Sequence, residues 1–134
     1  MIGLDTDVLL RLGDAKTPGQ RDRPLALIRA QGRAGCFVNA IVLCEFVWTL
    51  RSSLKMTRAE VARRLEILLN APEFVIEKSA EAARALSRYR LGPADFSDYF
   101  LAEINRSAGC ATTATFDDAA LKTVELFSGV PAQS

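Results

Sequence analysis

Four short strand-like segments, Met1–Leu4, Cys36–Val38, Phe74–Ile76 and Ala111–Ala114, are separated by stretches of helical periodicity, and this alternation constrains the fold more than any other feature. A strand, a crossover helix and a second strand form a βαβ unit, which requires parallel pairing and lays helices on the sheet faces. The expected fold is therefore α/β, with a parallel sheet covered by helices on both sides.

The punctuation between strands supports that expectation. Thr6 is placed to cap a first helix carrying Val8, Leu9 and Leu12. Gly13 to Gly19 reads as a turn-rich loop, and an amphipathic helix through Leu25 and Ile28 stops near Gly32. Ala40–Leu54 has a strongly apolar helical face, and Thr57 with Glu60 makes a capping box for a helix through Leu65, Leu68 and Leu69. Ser79–Leu91 repeats Ala and Arg at helical spacing until Gly92-Pro93 breaks it, after which Asp95 falls at the N-cap of a helix reaching about Ser107. Gly109 ends that helix, and Asp118 to about Leu126 reads as the last one.

A chain of 134 residues suits one domain with one core. The N-terminal MIGLDTDVLL has no basic leader, so neither a secretory signal nor a transit peptide is expected, and the cytoplasm is the expected location. The most hydrophobic stretch, Cys36–Leu50, is too short for a membrane span and contains Asn39 and Glu45. Cys36, Cys44 and Cys110 lack C-x-x-C spacing and read as reduced, buried small hydrophobes.

The chain has 0 histidines. That excludes a Ser-His-Asp triad, a Cys-His pair, an H-E-x-x-H zinc site and imidazole as a general base. Chemistry is left to carboxylates, hydroxyls, amines or a bound metal. Net charge is only +1, but Arg11 to Arg64 holds 11 Lys/Arg against 4 Asp/Glu, and Arg90 to Ser134 holds 3 against 6. A basic half beside an acidic half suits a polyanion gripped on one side and processed on the other, and equally suits solvated helix faces.

Four acids, Asp5, Glu45, Asp98 and Asp117, are the candidates. Asp5 and Asp117 both follow strand segments, where a parallel sheet brings loops to one edge and ligands bind; each also reads as a simple helix cap. Glu45 stands in I-V-L-C-E-F-V-W, where a helix leaves little polar surface; it is either a buried carboxylate needing compensation or an exposed residue in line with Thr49 and Ser52. Asp95 and Asp98 are three apart at a helix N-terminus, with Asp95 assigned to the cap and Asp98 to chemistry. Four such carboxylates together need a counter-charge, and oxygen-only ligation suits Mg²⁺ or Mn²⁺, which activate water for phosphodiester hydrolysis.

These residues resemble the PIN-domain nucleases, and among them the VapC-type toxins of toxin–antitoxin pairs. The likeness is carried by I-G-L-D-T-D-V-L-L-R at the start, V-L-C-E-F-V-W, A-D-F-S-D-Y-F-L-A and finally A-T-F-D, in order along nearly the whole chain. The resemblance implies a three-layer α/β sandwich with a short, mostly parallel four- or five-stranded sheet, and an endoribonuclease in which Asp5, Glu45, Asp98 and Asp117 gather around Mg²⁺ or Mn²⁺. Thr6, Asp7, Asp95 and Thr115 fall beside these acids as supporting residues. It also implies a homodimer, an RNA substrate such as tRNA or an rRNA loop, and a VapB-type antitoxin that forms a hetero-oligomer with the toxin and supplies any contact with DNA. Partner contact is expected at apolar helix surface around Phe46 and Trp48, which otherwise reads as core.

Two positions depart from the family pattern: Asp7 stands where Asn is usual, and Tyr99 and Phe100 replace smaller residues. Two other functions fit parts of the chain. Asp5-Thr6-Asp7 resembles the D-x-D of haloacid-dehalogenase phosphatases, with Asp5 as nucleophile, although the hydroxyl and lysine of that family lack counterparts here. A PIN fold kept only for binding RNA or a partner would be expected to lack an acid, and none is missing.

Overall fold

The structure is a computed structural model describing residues 1–13 and 19–133. Most of the loop expected between Gly13 and Gly19 lies outside the described residues. The chain divides into two compact units, Met1–Ser79 and Ala80–Ser134.

In the first unit, β1 (Ile2–Gly3), β2 (Cys36–Val38) and β3 (Phe74–Ile76) form a parallel sheet in that order. Ile2 pairs with Cys36 and Cys36 with Phe74, so β2 is central, and its Cys36 and Val38 are 0% exposed. An all-apolar central strand is what a parallel sheet with two covered faces requires. Gly35, just before β2, has φ +75°, and a Cβ there would come within 3.2 Å of the Glu73 carbonyl oxygen. Only glycine fits that turn and that close approach.

Among the described residues, four α-helices supply the crossovers. α1 (Thr6–Gly13) and α2 (Asp22–Gln31) connect β1 to β2, and α3 (Ala40–Ser52) and α4 (Arg58–Asn70) connect β2 to β3. Pro24 sits in the first turn of α2, where its missing N–H costs nothing. The N-terminus of α3 is satisfied twice: the Asn39 side chain accepts from the Val42 N–H at 2.9 Å, and Glu77 Oε1 accepts from the Ala40 N–H at 2.8 Å. Thr57 Oγ1 accepts from the Glu60 N–H at 3.2 Å, as its cap position predicts. The apolar faces bury Leu9, Leu43, Phe46, Val47, Leu50, Val61 and Leu65.

The second unit runs α5 (Ser79–Leu91, whose first residue belongs to the other unit), α6 (Phe96–Ser107), β4 (Thr113–Thr115), α7 (Asp118–Leu121) and β5 (Phe127–Gly129). Its core is aromatic: Tyr89 meets Phe96 edge-on at 6.2 Å and Phe96 packs on Phe100 at 5.4 Å, with Tyr99 fully buried beside them. The large residues at positions 99 and 100 are thus absorbed as core. β4 and β5 pair in parallel as a separate two-stranded sheet.

Several expectations change. The final helix is a single turn of 4 residues, and Phe127–Gly129 forms a strand after it. The fourth strand is Thr113–Thr115, two residues later than Ala111. Asp5, not Thr6, precedes α1, and Thr6 is the buried first residue of the helix. All three cysteines are free, but Cys36 alone is buried; Cys44 is half-buried and Cys110 exposed. Among the described residues no helix is long and apolar enough to cross a membrane.

Candidate active site

In the first unit, Asp5 follows β1 by two residues, and its Oδ1 accepts the Thr6 N–H at 2.6 Å. The buried Thr6 hydroxyl donates to Glu45 Oε2 at 3.0 Å, so one threonine holds Asp5 with its backbone and Glu45 with its side chain. Thr6 therefore supports the pair, although it does not cap the helix. Asp7 turns the other way: its Oδ2 accepts from Arg11 Nε at 3.0 Å, and both side chains are exposed.

Glu45 is not buried. It lies on the open face of α3 between Ile41, 71% exposed, and Trp48, 65% exposed. The residues that go into the core are Val42, Leu43, Phe46, Val47 and Leu50. The sequence places apolar residues all round this helix, so apolarity alone could not tell which face meets solvent. Phe46 and Trp48, read together as one surface, part company here: the first is core and the second is exposed.

In the second unit, Asp98 lies in the first turn of α6 and is half-buried. Burial pushes its pKa up, and the charges of Asp117 and Asp95 push it further, while a backbone hydrogen bond at Asp95 works against both. Asp95 occupies the N-cap position with extended backbone, but its side chain makes no cap hydrogen bond. Its carbonyl accepts from the Asp98 and Tyr99 N–H groups, and its exposed carboxylate acts on Asp98 as a like charge instead.

Asp117 caps α7, its Oδ2 accepting from the Ala120 N–H at 2.8 Å, and its own N–H donates to Thr115 Oγ1 at 3.0 Å. Thr115 thus fixes the Asp117 backbone, whereas Thr6 holds the Asp5 carboxylate itself. A capping carboxylate still has a second oxygen, so the cap role and a ligand role are compatible. β1 and β4, which lead to Asp5 and Asp117, are strands of different sheets.

The carboxylates thus occur as Asp5 with Glu45 in one unit and Asp98 with Asp117 in the other. Among the described residues, none of these four belongs to an ion pair with Lys or Arg. Nor, among those residues, do three acids, cysteines or histidines stand close enough to cage a metal ready-made. Each pair offers oxygen donors alone, and Asp98 is crowded by like charge, which fits a hard divalent ion such as Mg²⁺ or Mn²⁺.

Sequence reasoning missed the most buried acid. Glu103 on α6 is 0% exposed, with Oε2 accepting from Arg84 Nε at 2.9 Å and Oε1 from Arg88 Nε at 3.0 Å. Its signal was present: Glu103 lies at i+4 from Tyr99 and i+7 from Phe96, on the apolar stripe of its helix, while Arg84 and Arg88 share one face of α5 at i,i+4.

The family model described as PIN domain matches residues 2–126. Among solved structures, VapC20 of Mycobacterium tuberculosis, described as a Sarcin-Ricin loop cleaving toxin, is similar at 18% identity and a TM-score of 0.44, with 94% of this chain and 97% of that chain covered. None of the curated proteins compared with the chain matches it.

Proposed function

The chain belongs to the PIN domain family, and from that premise we propose that it is a divalent-metal-dependent endoribonuclease of the VapC toxin type. The observation that carries the reading is the state of Asp98: half-buried, beside Asp117 and Asp95, and outside any ion pair among the described residues. A carboxylate in that position is costly unless a cation joins it.

Asp5, Glu45, Asp98 and Asp117 would hold Mg²⁺ or Mn²⁺, which when bound lowers the pKa of water and offsets charge on a phosphodiester. The protein's own groups do the rest. Thr6 fixes Glu45 through its hydroxyl and Asp5 through its backbone N–H. Thr115 and the Ala120 N–H fix Asp117, leaving its remaining acceptor capacity for a cation. The exposed arginines of the first unit, among them Arg21, Arg29, Arg33 and Arg51, suit the phosphate backbone of an RNA such as tRNA or an rRNA loop. The same reading assigns the protein to the cytoplasm, as a homodimer neutralised by a VapB-type antitoxin.

The test is RNA cleavage by purified protein with Mn²⁺ or Mg²⁺. Cleavage abolished by EDTA and by Asp5→Ala, with the variant still folded, supports the reading; a variant that cuts as fast as wild type overturns the site.

A further inference from the structure

The Arg84–Glu103–Arg88–Glu125 cluster contributes to none of the chemistry above, yet Glu103 is the one charged side chain that is buried among the described residues. We propose that this cluster is a positioning device that holds Asp98 and Asp117 in register for the reaction, a claim that rests on the function proposed above.

Stability alone is a poor reason for such a cluster. A buried ion pair is commonly matched or bettered by apolar residues of similar volume, because desolvation offsets the attraction. What apolar packing lacks is a fixed direction. A guanidinium is planar and rigid, and two of its nitrogens on two acceptors fix both partners at once.

Arg88 does this between the two segments that matter. Its Nε donates to Glu103 Oε1 at 3.0 Å and another nitrogen donates to Glu125 Oε1 at 2.8 Å. Glu103 lies on α6 five residues after Asp98, about 7.5 Å along the helix axis. Glu125 lies between α7, which Asp117 caps, and β5. One side chain therefore ties the helix that carries Asp98 to the segment that continues from Asp117.

Arg84 braces the same carboxylate from the other side, its Nε on Glu103 Oε2 and its Nη2 on Ser107 Oγ at 3.1 Å, with Glu81 a further 3.9 Å contact. A neutral tie acts in parallel: Asn105 Nδ2 donates to Thr113 Oγ1 at 3.0 Å, joining α6 to β4.

The experiment uses the full chain. Arg88→Met with Glu103→Leu replaces the buried carboxylate and its partly shielded partner by apolar volume and leaves Arg84 to Ser107 and Glu81. This double variant should melt close to wild type yet bind Mn²⁺ in calorimetry about tenfold more weakly. Its cleavage of total RNA at saturating substrate should fall by about the same factor, with KM little changed. Arg88→Lys, a point charge unable to serve two acceptors as a fork, falls between.

Should the double variant fail to fold, the exposed Glu125 decides: Glu125→Ala lowers the saturated rate about threefold and Glu125→Gln, which keeps an acceptor, restores it. Folded variants with wild-type Mn²⁺ affinity and rate overturn the positioning claim alone. A wild-type protein that neither binds Mn²⁺ nor cuts RNA overturns the proposed function, and this claim with it.

Discussion

Two carboxylates on the same helix are treated in opposite ways. Glu103, near the C-terminal end of α6, is completely buried and has an arginine on each oxygen; Asp98, in the first turn, is half-buried and has Asp117 and Asp95 for company. On the function proposed above, burial therefore does not mark the reactive acid. The absence of an internal counter-charge does, because a carboxylate already neutralised by arginine has nothing left to offer a metal, whereas one crowded by other acids gains from a cation.

The largest expected effect concerns activity. Replacing Asp98 or Asp117 by Asn lowers the RNA cleavage rate by at least about a hundredfold while the melting temperature stays level or rises, since a like-charge contact is removed. A thermal melt beside a cleavage assay reads both; a loss of activity that merely tracks unfolding would erase the contrast with Glu103.

Next comes stability. Glu103→Ala strips the partner from two arginines, one of them largely shielded, and should cost about 3 kcal/mol in urea unfolding. If the loss were no greater than that of an exposed acid, Glu103 would not be the compensated member of the pair.

A pH effect of smaller size distinguishes the two ends further. An acid whose folded pKa is raised binds its proton more tightly in the folded state. Asp98 therefore withdraws stability as pH climbs from the ordinary carboxylate range through its raised value, and the full penalty persists above it. Urea melts of wild type and Asp98→Asn should diverge upward in pH, with the variant gaining. Millimolar Mn²⁺ should close the gap by binding the folded wild type; parallel curves would deny Asp98 its shifted titration.

Smaller still, Thr6→Val removes a buried hydroxyl's bond to Glu45 and should cost about 1 kcal/mol together with some cleavage activity. Arg11→Ala opens only an exposed helical pair with Asp7 and should change unfolding by about 0.5 kcal/mol or less, leaving cleavage intact. Equal activity losses from the two would mean that Asp7, rather than Glu45, is the acid that Thr6's neighbourhood serves.

The sequence conveyed the fold where local signals were strong. β2, β3 and α5 lie where apolar runs and breakers put them, and Thr57 caps α4 as its spacing demands. β5 was unreadable because Phe127–Gly129 is three residues long, contains glycine and acquires meaning only by pairing with β4. The site residues were legible as types and spacings, but their environments were not. Glu45 reads as potentially buried because Ile41 and Trp48 look like core residues, and nothing local says that they face outward. Glu103 is hidden because A-E-I-N-R looks like ordinary helix surface until Arg84 and Arg88 arrive from another helix. Side-chain partners drawn from a different element are set by tertiary packing, which no window along the chain contains.

Trp48 is the 1 tryptophan of the chain, and it stands outward one helical turn beyond Glu45. Its indole fluorescence consequently belongs to a single face of α3 and reports at long wavelength while water reaches it. Any macromolecule that settles over that face must shift the emission to the blue and shield it from iodide, so the protein carries its own optical gauge of occupancy beside Glu45.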